Sequence, residues 1–140
     1  MYIPKHFELH ELLPPKLYDM YKEDQNVGWR LLDERLLITL DSIKEKFPLG
    51  SMTVNNYYWG GSRRWSGLRT PNAGKYYSVS SQHTYGRAAD IVFTQYSEDY
   101  VRQYLIDNHE DFPYIKGIED NVSWVHIDCR NSNLLVVFNA

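Results

Sequence analysis

The chain has one cysteine, Cys129, so no internal disulfide can form and nothing points to an oxidising compartment. It has no apolar stretch near the ~20 residues that a membrane-spanning helix needs. Its start, MYIPKHFELHELLPP, lacks the basic segment and apolar run of a secretory leader. The expectation is a protein made in the cytoplasm without a signal peptide and with no membrane partner. Positive charge is scarce too: 15 Lys and Arg stand against 18 Asp and Glu, a net charge of -3 with no basic run. Nucleic acid is therefore not an expected partner. The 8 glycines and 6 prolines are scattered, and no repeat or linker interrupts the chain. Residues 1–140 read as a single domain, expected to act as a monomer.

What the chain does hold is enough apolar material for one core, with 43% hydrophobic and 15% aromatic residues. FELHELL (7–13) reads as a short helix, broken or restarted at Pro14 and Pro15. In GWRLLDERLLITLDSIKEKFPLG, Trp29, Leu32, Leu36, Leu40, Ile43 and Phe47 recur at threes and fours. That spacing predicts one amphipathic helix with Asp33, Arg35, Asp41 and Lys44 outward, ended by Pro48 and Gly50. SMTVNNYYWG reads as a strand, and SEDYVRQYLIDN as a helix with Ser97 as its N-cap. ADIVF, SWVHIDCR and NLLVVFNA are short and β-prone, the last two joined through RNSN as an antiparallel hairpin would be. The fold class is α+β, a small mainly antiparallel sheet with helices packed on it.

The stretch SQHTYGRAAD places His83 and Asp90 seven positions apart. A helix would separate them by roughly 10 Å and a strand by more than about 20 Å, so they meet at one point only if the chain folds back. Gly86 gives the freedom for that turn, and Ala88 and Ala89 let the following strand pack closely. In SWVHIDCR, alternation puts Trp124, His126 and Asp128 on one face and Val125, Ile127 and Cys129 on the other, apolar one. Cys129 then belongs to the core. His126 could complete a His, Asp, His metal site with a position left for water, and Asp128 could orient an imidazole or an arginine.

These motifs carry a resemblance. Ser81, His83, Gly86, Ala88 or Ala89, and Asp90 match the serine, histidine, glycine, alanine, aspartate pattern of the zinc D-Ala-D-Ala carboxypeptidase family. That family shares its fold with bacteriophage L-alanyl-D-glutamate endolysins and with the amino-terminal domain of sonic hedgehog. His126, after Trp124 and Val125, resembles the family's later histidine, and Ser66, Gly67 and Arg69 resemble its Ser-Gly-x-Arg strand end. The likeness spans roughly residues 7 to 130. It implies a hedgehog/DD-peptidase-like fold with zinc on His83, Asp90 and His126. It also implies substrate contacts from Arg69, Ser81, Tyr85 and Trp124, with Arg69 on a carboxylate or the developing oxyanion. The partner implied is the peptide stem of bacterial peptidoglycan, cut at the cell wall after phage-mediated release.

One position departs from the pattern. Many active members have a glutamate three residues before the last histidine, where this chain has Ser123, and serine is no base at neutral pH. Glu119 and Asp120 are the nearest acids, Asp120 resembling in its spacing the glutamate of the hedgehog domain. The alternative is a catalytically inactive zinc-containing binding or virion-structural module. His6 and His10 read as surface histidines, and His109 as a partner of a helix C-terminus. Trp59, Trp65 and Tyr85 read as core or as the lining of a groove, and Arg63 and Arg64 as solvated or as steering an acidic substrate.

Overall fold

Proline sets the first helix. Pro15 takes the position where a missing N–H costs nothing, and α1 runs Pro15–Tyr21. Helix α2, Gln25–Trp29, follows. The Asp33 side chain then accepts a hydrogen bond from the Arg35 N–H at 2.9 Å, so α3 starts there and runs Glu34–Lys46. The single helix expected from Trp29 to Phe47 is thus two, because Asp33 caps rather than faces outward. Asp41 is not outward either. It is buried and accepts hydrogen bonds from the Tyr2 hydroxyl and from the N–H groups of Lys5 and His6, tying the first residues to α3.

FELHELL forms only a single 3-10 turn, Leu9–Glu11, in which His10 is buried rather than at the surface. SMTVNNYYWG yields only a short strand, β1, Met52–Thr53. Asn55 and Asn56 end it, since their side-chain oxygens accept from the N–H groups of Ser66 and Arg63 and hold the chain in a loop. Strand β2 is Ala88–Phe93. Helix α4, Glu98–Asp107, starts where Ser97 accepts from the Tyr100 N–H, as its sequence predicts. His109 contacts the Ile106 carbonyl at its end.

Strands β3 (Gly117–Asp120), β4 (Val125–Asp128) and β5 (Val136–Asn139) complete a five-stranded mixed sheet in the order β1-β2-β4-β3-β5. Three pairings are antiparallel and one, β3 with β5, is parallel. The expected β4–β5 hairpin does not form. GIED, unread as a strand because it holds a glycine and two acids, pairs with β4 through a tight turn and leaves β5 to join its far edge. The computed structural model describes residues 1–139. The architecture is α+β, and no helix among the described residues is long and apolar enough to cross a membrane.

One sheet face meets the core: Ala89, Ile91, Ile118, Val125 and Ile127 are sealed there with Leu36, Leu37, Leu40 and Ile43 of α3. Truncating any of those leucines to alanine should cost about 2–5 kcal/mol. Cys129 lies in the same core, and burial pushes its thiol up to about 12. Ellman's reagent at pH 8 should therefore find no reactive thiol in the folded protein and one in guanidinium.

The Asp33 cap makes stability depend on pH. Hydrogen bonding to Arg35 holds its carboxyl below the ordinary carboxylate value. A depressed folded pKa stabilises the fold above the unfolded value, and the contribution fades as pH falls through the folded one. Asp33→Asn keeps a capping oxygen and removes the charge. Urea unfolding should show wild-type stability falling more steeply than the variant's between about pH 5 and pH 3.

Candidate metal centre

The loop before β2 folds back as its sequence suggests. Ser81 Oγ accepts from the His83 N–H, residues Gln82–Tyr85 make one 3-10 turn, and Gly86 reverses the chain at φ +68°. A side chain at Gly86 would also meet the Leu31 carbonyl at 2.3 Å, so glycine is required twice over. Residues 66–69 are a loop rather than the strand end expected. This loop lies against both ligand segments, the Asp90 N–H donating to the Ser66 carbonyl at 2.8 Å and the Arg69 N–H to the His83 carbonyl at 3.1 Å.

The three residues converge. Nε2 of His83 lies 3.3 Å and Nδ1 of His126 2.9 Å from Oδ1 of Asp90, and the three donor atoms lie within 4.8 Å of one another. Donors around a tetrahedral ion at about 2.05 Å would stand roughly 3.3 Å apart, close to the two distances to Asp90 Oδ1. Each ligand is also braced from behind. His83 Nδ1–H donates to the Gly67 carbonyl at 2.8 Å, which fixes the tautomer and leaves Nε2 with its lone pair. Asp90 Oδ2 accepts from Arg69 Nη2 at 3.1 Å. His126 Nε2 contacts Asp128 Oδ2 at 2.8 Å, and Arg130 grips both oxygens of Asp128 at 2.8 and 2.7 Å. The buried triad could hold a metal ion.

Charge follows from this crowding. Burial would raise Asp90, but His83 and His126 hold it well below the usual carboxylate range. Burial likewise opposes the low value of Asp128, and Arg130 and His126 overcome it. Burial disfavours charge on His126, yet hydrogen bonds to Asp128 and Asp90 lift it to about 9. Nδ1 must shed a proton before it can serve as a ligand.

The sheet register orders the rest. Asp90, His126, Glu119 and Phe138 stand opposite one another on four neighbouring strands, forming one row across the sheet. All four line an open cleft of about 630 Å³. Ala88, Asp128 and Gly117 form the adjacent row, where a side chain on Gly117 would come within 2.3 Å of the Asp128 carboxylate. Asp128 thus sits between the two smallest residues of the sheet face.

Of the other residues singled out in the sequence, Arg69, Ser81 and Trp124 line the cleft. Tyr85 stands exposed outside it, its hydroxyl donating to the Val79 carbonyl. Glu119 faces the cleft, whereas Asp120 and Ser123 line a separate hollow beside α4, and Asp120 bonds the Asn121 N–H. Strand alternation explains the split, as Gly117 and Glu119 share one face and Ile118 and Asp120 the other. The anchoring by Arg130 and Arg63 and the place of Phe138 were not foreseen. Arg130 continues the alternation of Trp124, His126 and Asp128, a signal that was present in WVHIDCR.

Outer partners of this kind weigh on affinity, so Asp128→Asn should weaken binding of a divalent transition metal about tenfold or more. His126→Ala should abolish it. Competition with a chromophoric chelator measures both. No family model, curated protein or solved structure matches the chain.

Proposed function

We propose that the chain is a zinc-dependent peptidase that hydrolyses an amide bond in the peptide stem of bacterial peptidoglycan, with a hedgehog/DD-peptidase-like fold. The observation that carries this reading is the single row in which a braced ligand pair, Asp90 and His126, stands beside an acid, Glu119, at the floor of an open cleft. The substrate class rests on the resemblance of the SQHTYGRAAD and WVHID motifs. The same resemblance supports action at the cell wall, reached by phage-mediated release.

Two imidazoles and one carboxylate suit zinc. Held by His83 Nε2, Asp90 Oδ1 and His126 Nδ1, zinc would supply a Lewis acid that polarises the scissile carbonyl and acidifies water. Glu119 takes the place of the acid missing at Ser123. Opposed strand residues lie about 5 Å apart at Cα, so its carboxylate can reach a water beside His126. It accepts a proton from the attacking water and returns it to the departing nitrogen. Arg69 acts chiefly by holding Asp90. Three of its five N–H groups are engaged, by Trp65, Tyr76 and Asp90, and the remaining two can meet a substrate oxygen.

Mass spectrometry of purified peptidoglycan fragments, incubated with zinc-loaded or chelated protein, tests the proposal. Chelator-sensitive cleavage is expected. Glu119→Gln should lower kcat by about 10²-fold or more, while Asp120→Asn should stay within about twofold because it faces the other hollow. Intact fragments from several stem types, with zinc bound, would favour a non-catalytic binding module instead.

A further inference from the structure

Four guanidinium groups line the cleft, those of Arg63, Arg64, Arg69 and Arg130, against three carboxylates, Asp90, Glu119 and Asp128. Guanidinium groups thus outnumber carboxylates in the cleft, before His126 is counted, in a chain whose net charge is -3. Three of the four arginines are committed to the protein. Arg63 donates to the carbonyls of Val54 and Asp90 at 2.9 and 3.0 Å. Arg69 holds Asp90 and two carbonyls. Arg130 grips Asp128 and lies 4.5 Å above the Phe138 ring. Arg64 is different. It is exposed on the cleft rim, and its guanidinium makes no hydrogen bond or ion pair among the described residues.

We infer that Arg64 is the recognition residue for a free carboxylate carried by the substrate peptide at a point away from the scissile bond. A planar fork with all its donors unspent suits a carboxylate in two-point contact, and the positive cleft would draw such a peptide in. The bonds of Arg63 anchor the chain next to Arg64, and Trp65 on its other side lines the same cleft. The inference rests on the peptidase reading for its substrate and adds which feature of that substrate is read. Arg64 makes no hydrogen bond or ion pair to the ligand triad or Glu119, so it should act on binding rather than on the chemical step.

A lysine-type stem pentapeptide carries only two carboxylates, the α-carboxyl of its D-glutamyl residue and the C-terminus. Three forms serve as probes: both free, the D-glutamyl carboxyl amidated, and the C-terminus amidated. With wild-type protein, one amidation should raise KM about tenfold with kcat little changed. Arg64→Gln should show that raised KM on the free form and lose the discrimination, and Arg64→Lys should restore part of it. Equal effects of Arg64→Gln on all three forms would overturn the inference. Should zinc-loaded wild-type protein cut none of them, nor fragments of the other stem types, the peptidase reading fails. Quenching of Trp65 and Trp124 fluorescence then decides on Arg64 alone. Tighter binding of the free form, lost in Arg64→Gln, upholds it, and indifference to amidation, or no binding, overturns it.

Discussion

A buried carboxylate is tolerable only when its charge is met on every side, and Asp90 is the place where this chain accepts that demand. One oxygen meets two imidazoles and the other a guanidinium, while the backbone carbonyl of the same residue takes a second guanidinium from Arg63. Its N–H goes to Ser66. Satisfying Asp90 therefore draws together β2, β4 and the loops carrying residues 63–69 and 83. The cleft is the space left between those segments. Removing any one partner would leave charge stranded in a low-dielectric setting, which explains why so much of the polar chemistry is concentrated on one face of the sheet.

The arrangement separates two uses of arginine. Where a guanidinium must hold a neighbour still, as Arg69, Arg130 and Arg63 do, its N–H groups are matched to carbonyls and carboxylates at hydrogen-bond distances. Rigidity of this kind matters for a metal centre, because ligands that are aligned in advance lose little freedom on binding. The opposite face of the sheet contributes in a plainer way. Its sealed apolar residues set the positions of the strands, and the strands in turn set the spacing of the polar row.

Much of the site was legible in the sequence, and the reasons are local. His83, Gly86 and Asp90 lie within ten residues, and period-two alternation through His126 showed which side chains share a face. Pairing between strands was less legible. GIED has a single β-branched residue, Ile118, set between a glycine and two acids, so the β3 register could not be read, and with it went the distinction between Glu119 and Asp120. The boundary at Asp33 failed for another reason: an apolar stripe continued across it, and only cap geometry shows that the helix starts anew. Asp41 carries no sign in its own neighbourhood that it serves the first six residues, because that contact spans more than thirty positions.

Gly117 shows how far a site built from tight rows extends. It has no functional group, yet the carboxylate that braces His126 fills the volume its side chain would take. The chemical identity of the centre thus reaches a residue that donates, accepts and ligates nothing through a side chain. A substitution at position 117 would act on Asp128 and through it on His126, so the empty volume beside a side chain belongs to the site as much as the atoms that make its contacts.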